Sequence, residues 1–178
     1  MAQVLNGTEY LSFFRRYKDR ETKDASYLRF VTESSISAEK ENDSTATVDG
    51  PVNSVSDGES TASFTSLAYK EEGNTIAAWK TLKEWFDNNE KVEFWHVDRT
   101  SLKNGKVEDV YHQGYFTTFE MTAAADGKVE LNYEYAIDGK GVAGESQLTD
   151  EQLAVVERMA QYDHASLQAL NKAESARA

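Results

Sequence analysis

The residue types that most often carry out chemistry are few in this chain and poorly spaced for it. Its three histidines are His96, His112 and His164, and their separations fit no metal-binding motif. The chain has no cysteine, which excludes disulfides and thiolate metal ligands. It also contains no G-x-S-x-G nucleophile elbow and no P-loop. We therefore predict no catalytic residues, no cofactor, no cofactor-binding residues and no metal site.

Two short motifs come closest to a binding site, and each lacks its structural context. Gly139, Gly141 and Gly144 have the G-x-G-x-x-G spacing, but no strand–turn–helix pattern surrounds them. Residues 43–47 lack the alternating acidic ligands of a calcium loop. The formal net charge of −12 argues against tight binding of nucleic acid, because that binding relies on neutralising phosphates. The sequence therefore favours a structural or binding protein over an enzyme.

The strongest structural pattern is a predicted β-hairpin over residues 107–138. In Val129–Ile137 apolar and polar residues alternate with a period of two, which is typical of a strand with one buried face. A three-residue loop over 125–127 keeps the apolar residues of both strands on one face, whereas a two-residue turn would mix the faces. The predicted pairs on the core face are Met121 with Leu131, Phe119 with Tyr133, and Tyr115 with Ile137.

The opposite face of this hairpin is acidic. It carries Glu120, Glu130 and Glu134, which alternate with the predicted core residues. Burying unpaired carboxylates is costly, so we expect these three side chains to meet water.

Before the first helical pattern, the chain has three further predicted strands and one long polar segment. Tyr10–Tyr17 and Ser26–Ser37 are expected to form a first hairpin, and Ala62–Ala68 is expected to form another strand. Residues 39–60 hold almost no large apolar residue, so they predict a long loop on the surface. A basic cluster near the first hairpin indicates either a solvated strand end or an interface with an acidic neighbour; it contains Arg15, Arg16, Lys18 and Arg20.

Helical patterns appear twice. Apolar residues recur at helical spacing over Asn74–Phe86, so a helix within residues 74–88 should pack on the sheet beside the strand Val92–Val97. A second helix should open at Thr149, which forms a capping-box pair with Gln152. The expected core contains Trp79, Leu82, Phe86, Phe94, Phe119, Leu131 and Tyr133.

The length of 178 residues suits one domain, residues 1–162, followed by residues 163–178, which either extend the second helix or fray. The N-terminal residues lack a signal-peptide pattern, and no apolar run reaches the length of a membrane span. The residues alone thus predict a mainly β domain with flanking helices, of the α+β class, in the cytosol.

Several segments resemble the major tail proteins of long-tailed bacteriophages of Gram-positive hosts. The similar stretches are residues 42–51, 92–98 and 111–148, and the most specific are 112–141 and the closing LTDEQ of residues 148–152. The resemblance covers roughly residues 1–160. It implies an antiparallel β-sandwich or half-barrel of the tail-tube type, with one packed helix, a long extended loop and a C-terminal helix.

The same resemblance implies a function and partners. Copies of the chain would form homo-hexameric rings that stack into the tail tube of the virion, after assembly in the bacterial cytoplasm. Genomic DNA would pass through without tight binding, and the other partners would be tape-measure, tail-terminator and baseplate proteins, with no membrane. Glu120, Glu130 and Glu134 are candidate residues of the lumen wall, or else lie outside the tube. The candidate residues of an inter-ring loop are Asp43, Thr45, Thr47, Asp49 and Pro51.

Two other readings stay open at this stage. One is a tube protein of a contractile or secretion system, which would share the fold. The other is a monomeric β-sandwich binding module of a baseplate, which would expose its aromatic residues in a cleft.

Overall fold

The computed structural model describes residues 4–69 and 78–163. Within them, eight strands form one antiparallel sheet. The strands are β1 (Tyr10–Arg16), β2 (Ser26–Tyr27), β3 (Val31–Thr47), β4 (Gly50–Leu67), β5 (Val92–Lys103), β6 (Lys106–Ala123), β7 (Val129–Ile137) and β8 (Val142–Gln147). The α-helices are α1 (Ala78–Asp87) and α2 (Asp150–Asp163). The order across the sheet is β2-β1-β5-β6-β7-β4-β3, and β8 pairs with the end of β6 that β7 leaves free.

The sheet curls around its main core. The rings of Phe14 in β1 and Phe64 in β4 lie 5.3 Å apart, centroid to centroid, although β5, β6 and β7 separate the two strands in the sheet. This contact requires the sheet to bend into a half-barrel with its apolar side chains inside. Leu82 and Trp85 of α1 are buried against that core. Of the β-sandwich or half-barrel implied by the resemblance, the single curled sheet is the half-barrel.

The predicted core residues fall mainly inside the half-barrel. Phe94, Leu131 and Tyr133 are fully buried, whereas Phe86 and Phe119 are half-buried and pack on each other with ring centroids 6.4 Å apart. The side chain of Trp79 and the predicted first residue of the helix, Asn74, lie outside the described part of the chain.

The central hairpin has the predicted register at its turn and a different one further along. Met121 faces Leu131 and Phe119 faces Tyr133, but Tyr115 faces Ala136, so its predicted pairing with Ile137 is wrong. An extra residue in β6, a bulge at Thr117, separates the two registers.

The bulge has a physical reason. Phe116 and Phe119 are three residues apart, so a regular strand would point them to opposite faces. The extra residue turns both toward the core, where Phe116 is only 8% exposed, and it leaves Tyr115 40% exposed on the other face. Gly114 accommodates the shift, because a Cβ there would lie 1.8 Å from the carbonyl oxygen of Ala136.

The polar segment 39–60 is paired rather than a loop, which corrects the sequence prediction. β3 and β4 pair from Lys40–Asp57 to Thr47–Gly50, and a tight turn at Val48 and Asp49 joins them. Its serine, threonine and valine residues suit strands, and mutual pairing satisfies the backbone without an apolar core. The pairing of β4 with β7 ends at Ser60, so residues 39–59 project from the sheet. We call residues 39–59 the ribbon.

The first predicted hairpin is also mostly wrong. Only Phe13 and Phe14 of β1 pair with β2, through Tyr27 and Ser26. Phe30 then adopts a positive φ of 56°, and the chain turns into β3, which pairs with β4 instead.

A second, smaller core lies on the opposite face of β1, β5 and β6, where α2 covers it. The Thr149 and Gln152 side chains form the predicted capping box, each accepting from the other's backbone N–H. The Gln152 amide also donates to the Ala25 carbonyl at 2.8 Å, which ties α2 to β2. The buried residues here are Leu11, Phe13, Tyr27, Val97, Val107 and Val156.

Candidate functional site

The acidic residues predicted from the hairpin lie together on one surface. Glu120 of β6 stands in one row across β7 and β4 with Glu33 of β3, and Glu130 and Glu134 follow on the same side of β7. All four side chains are exposed. We call the side of β6, β7, β4 and β3 that faces away from the main core the acidic face.

Neutral side chains donate to two carboxylates of the acidic face, Glu130 and Glu134. The Thr118 hydroxyl donates to Glu134 at 3.1 Å, and the Asn132 amide donates to Glu130 at 3.5 Å. The Thr65 hydroxyl in turn donates to the Asn132 carbonyl oxygen at 2.7 Å. These groups orient the glutamates without neutralising their charge, so the surface keeps a negative potential.

A buried polar network borders the acidic face. Glu93 of β5 is only 1% exposed and accepts from Arg15 Nε at 2.7 Å and from the Tyr111 hydroxyl at 2.7 Å. Gln113 donates to the same Tyr111 oxygen at 2.8 Å. Burial, together with the hydrogen bond to Glu93, raises the pKa of Tyr111 to about 12. This network joins β1, β5 and β6, and sequence reasoning missed it because the strand Val92–Val97 looks apolar on both faces.

The basic cluster of the first strand is neutralised within the chain. Arg15 pairs with Glu93, Arg16 pairs with Asp19 at 2.7 Å, and Lys18 pairs with Glu90. Arg20 donates to the Tyr17 hydroxyl at 2.8 Å. These partners account for the cluster locally, so it gives no support to an interface with an acidic neighbour.

The candidate residues of the ribbon are all exposed. Asp43, Thr45 and Thr47 lie on one face of the ribbon, Pro51 lies on the other, and Asp49 is in the turn. Three valines on this segment are also exposed to solvent: Val48, Val52 and Val55.

An ion-pair cluster marks the point where the ribbon leaves the sheet. Asp57 pairs with Lys40 on the neighbouring strand and with Lys140 of the β7–β8 turn, the latter at 2.9 Å. Its hydrogen bonds to Lys40 and Lys140 lower the pKa of the Asp57 carboxyl. Beside it, β4 has an extra residue at Gly58, where the register with β3 shifts. The ribbon therefore starts at a bulge held by surface charges.

The histidines within the described residues are packing residues. His112 stacks on Phe94, and His96 stacks on Tyr10, with ring centroids 5.3 and 4.9 Å apart. Burial is the main cause that lowers the pKa of each imidazole. In residues 4–69 and 78–163, no group of three or more His, Cys, Asp or Glu side chains could hold a metal ion. His164 lies outside these residues.

The glycine motif also has a packing role. Gly141 lies against His112, where a Cβ would come within 2.4 Å of the imidazole Cε1 atom. Gly139 occupies a turn at φ 69°, and Gly144 is part of β8. Across the described ranges, no helix has the length and apolar character needed to cross a membrane.

Comparison with known proteins identifies the family of this chain. Residues 4–143 match the sequence profile of a family described as phage tail tube protein. The chain belongs to the phage tail tube protein family. It is 32% identical over 154 residues to a provisionally named tail protein of Staphylococcus phage phiMR25, which covers 84% of this chain and 77% of that protein. The family predicted from the sequence resemblance is therefore confirmed.

Solved structures share the fold of this tail tube protein. The SPP1 tail tube matches with a TM-score of 0.61 and 16% identity, over 92% of this chain and 88% of that one. The tail of an empty gene transfer agent particle matches with a TM-score of 0.57 and 12% identity, over 82% of this chain and 100% of that one. The family match, rather than these distant structures, makes the chain a structural component of the phage virion, located in its tail.

Proposed function

We propose that copies of this tail tube protein form hexameric rings that stack into the conduit for DNA ejection, without catalytic activity. The six-fold symmetry stated for the related gene transfer agent tail supports this ring number. The contractile injection system that shares the fold is a sheath–tube complex, which fits a role as a tube wall. Its partners would be further copies of itself, a tape-measure protein, and the terminator and baseplate proteins at the two ends.

The acidic face is the surface that we propose lines the bore of the tube. Glu120, Glu130 and Glu134 are exposed, and the hydrogen bonds that Glu130 and Glu134 accept within the described part of the chain come from neutral side chains. A ring would repeat all three carboxylates around its axis. Like charge between wall and phosphate would keep DNA from adhering while it moves. The repulsion would act close to the wall, because the screening length in physiological salt is about 8 Å. A basic wall would instead bind DNA by releasing counterions.

The ribbon supplies the contact between neighbouring subunits. Its side chains are exposed along both strands, and it projects beyond the pairing of β4 with β7. A long exposed strand pair is an aggregation hazard in a monomer, whereas a ring or a stack would cover it. Asp43, Thr45, Thr47, Asp49 and Pro51 are the proposed contact residues.

Reversing the charge of the acidic face tests its place in the bore. A particle with Glu120→Lys and Glu130→Lys should assemble tubes of normal length, because both side chains are exposed. DNA ejection should be slower, and more so at low salt, where binding of phosphate by lysine is strongest. Infectivity and the ejection rate at several salt concentrations provide the measurement.

The matched control is Glu21→Lys with Glu157→Lys, which makes the same charge change on exposed residues of the turn after β1 and of α2. These particles should eject DNA at the normal rate. Normal ejection by the acidic-face variant, with intact tubes, would contradict the assignment of this face to the bore.

A further inference from the structure

The half-barrel is open along one seam. β1 lies near one end of the strand order and β3 at the other, and a groove of about 450 Å³ lies between them. One wall is the first strand with the turn before it, and the other is the start of β3. We call this space the seam groove. The residues that line it include Thr8, Ser12, Glu33 and Ser34.

Strand edges form both walls of the seam groove. On the β1 side, only Phe13 and Phe14 pair with β2, and the Ser12 carbonyl accepts one further bond, from Leu28 N–H at 3.0 Å. On the other side, β3 pairs with β4 along one edge, and no strand within the described ranges pairs with its second edge. Unpaired N–H and C=O groups along a strand edge are a template for another strand.

The size of the seam groove suits a short extended segment. Four residues of β3, residues 31–34, line one wall. At about 3.3 Å per residue, that wall accommodates an extended stretch of roughly four residues. The β3 wall is therefore long enough to pair with a short strand along its free edge.

The ribbon tip of another copy has the chemistry that fits this groove. Residues 47–56 contain one charged residue, Asp49, in a chain that is 28% charged. The groove is lined mainly by threonine, serine, asparagine and apolar residues, with Glu33 as the charged one among them. Two copies that each have a net charge of −12 repel each other, so contact is least costly where both surfaces are nearly neutral. Val48 and Val52 would also lose their exposure there.

We propose that the tip of the ribbon, residues 47–56 of one subunit, adds as a strand to the seam groove of a second copy. This rests on the proposed function, and it names the acceptor surface that the ribbon contacts. Residues 50–56 stay paired with β3 of their own ribbon, so their one free edge would bond to the free edge of β3 in the second copy. The contact is head-to-tail, because the ribbon and the groove are different surfaces of the same chain.

Cysteine cross-linking tests this contact, since the natural chain has no cysteine. Two singly substituted proteins, Val52→Cys and Ser34→Cys, are mixed, assembled into tubes and oxidised. Mass spectrometry should then find a disulfide between position 52 of one copy and position 34 of the other. A second pair, Val48→Cys with Thr8→Cys, reports on the other wall of the same groove. The matched control replaces Ser34→Cys with Glu134→Cys, an exposed position on the acidic face, and should give at least tenfold less mixed disulfide.

The outcomes separate this inference from the proposed function. Tubes with the mixed disulfide in either groove pair, and little in the control, support the seam groove as the acceptor. Tubes that form normally but give no mixed disulfide in both groove pairs overturn it, while the tube function stands. If the unsubstituted protein forms no rings or tubes under any assembly condition, the proposed function fails and the inference fails with it.

Discussion

At the scale of single residues, a buried charge is the feature most sensitive to change. Glu93 is fully buried within the sheet, and its partners Arg15 and Tyr111 come from the strands on either side. The Arg15 guanidinium also lies 5.0 Å above the Trp95 ring, so one side chain serves an ion pair and a cation–π contact. The network therefore fixes β1, β5 and β6 relative to one another next to the acidic face.

Removing the Glu93 carboxylate should destabilise the subunit strongly. Breaking a buried pair leaves the partner charge uncompensated, so Glu93→Ala should cost about 3–5 kcal/mol of unfolding free energy. The control Glu130→Ala removes an exposed carboxylate and should change stability by less than about 0.5 kcal/mol. Urea unfolding of the two purified variants measures the difference. Equal stability of both would show that the Glu93 network contributes little.

At the scale of elements, the sequence predicts strands well and their partners less well. The alternation in Val129–Ile137 identified β7 and the acidic residues, because one buried face imposes a period of two. The bulge at Thr117 could not be predicted from this alternation, because the alternation lies in β7 and the bulge lies in β6. Phe116 and Phe119 at a spacing of three, next to Gly114, are the residues that could have indicated it.

The ribbon shows a second limit of sequence reasoning. A segment without apolar residues predicts a loop, since it has nothing to bury. Pairing between β3 and β4 needs no core, and it satisfies the backbone even where both faces of the ribbon are exposed. Composition therefore identified residues 39–60 as peripheral but did not reveal their strands.

Deleting the ribbon should separate folding from assembly. Replacing Lys40–Asp57 with a short glycine linker removes only exposed side chains and keeps the pairing of β4 with β7 from Ser60 onward. The variant should fold as a monomer whose circular dichroism keeps a β-sheet spectrum, reduced only by the deleted strands of the ribbon, and it should form no stacked tubes by electron microscopy. Normal tubes from this variant would contradict the assembly role of the ribbon. Loss of folding would instead show that the ribbon supports the half-barrel.

At the scale of the whole molecule, the proposed tube rests on the positions of the two cores and of the acidic face. The main core occupies the inside of the half-barrel and α2 covers a second core, while the acidic face stays uncovered by any described element. The sequence resemblance predicted a tail tube subunit, and the family match confirms it. The direction in which the acidic face points depends on contacts between copies, which a single chain does not contain.

The orientation of the acidic face in the assembled tube is the most direct test of this account. Cryo-electron microscopy of tubes grown from the unsubstituted protein would locate Glu120, Glu130 and Glu134 relative to the tube axis. If the acidic face lines the bore, the map will show six copies of each carboxylate per ring, pointing into the bore. A map in which these side chains point to the outside of the tube would contradict it.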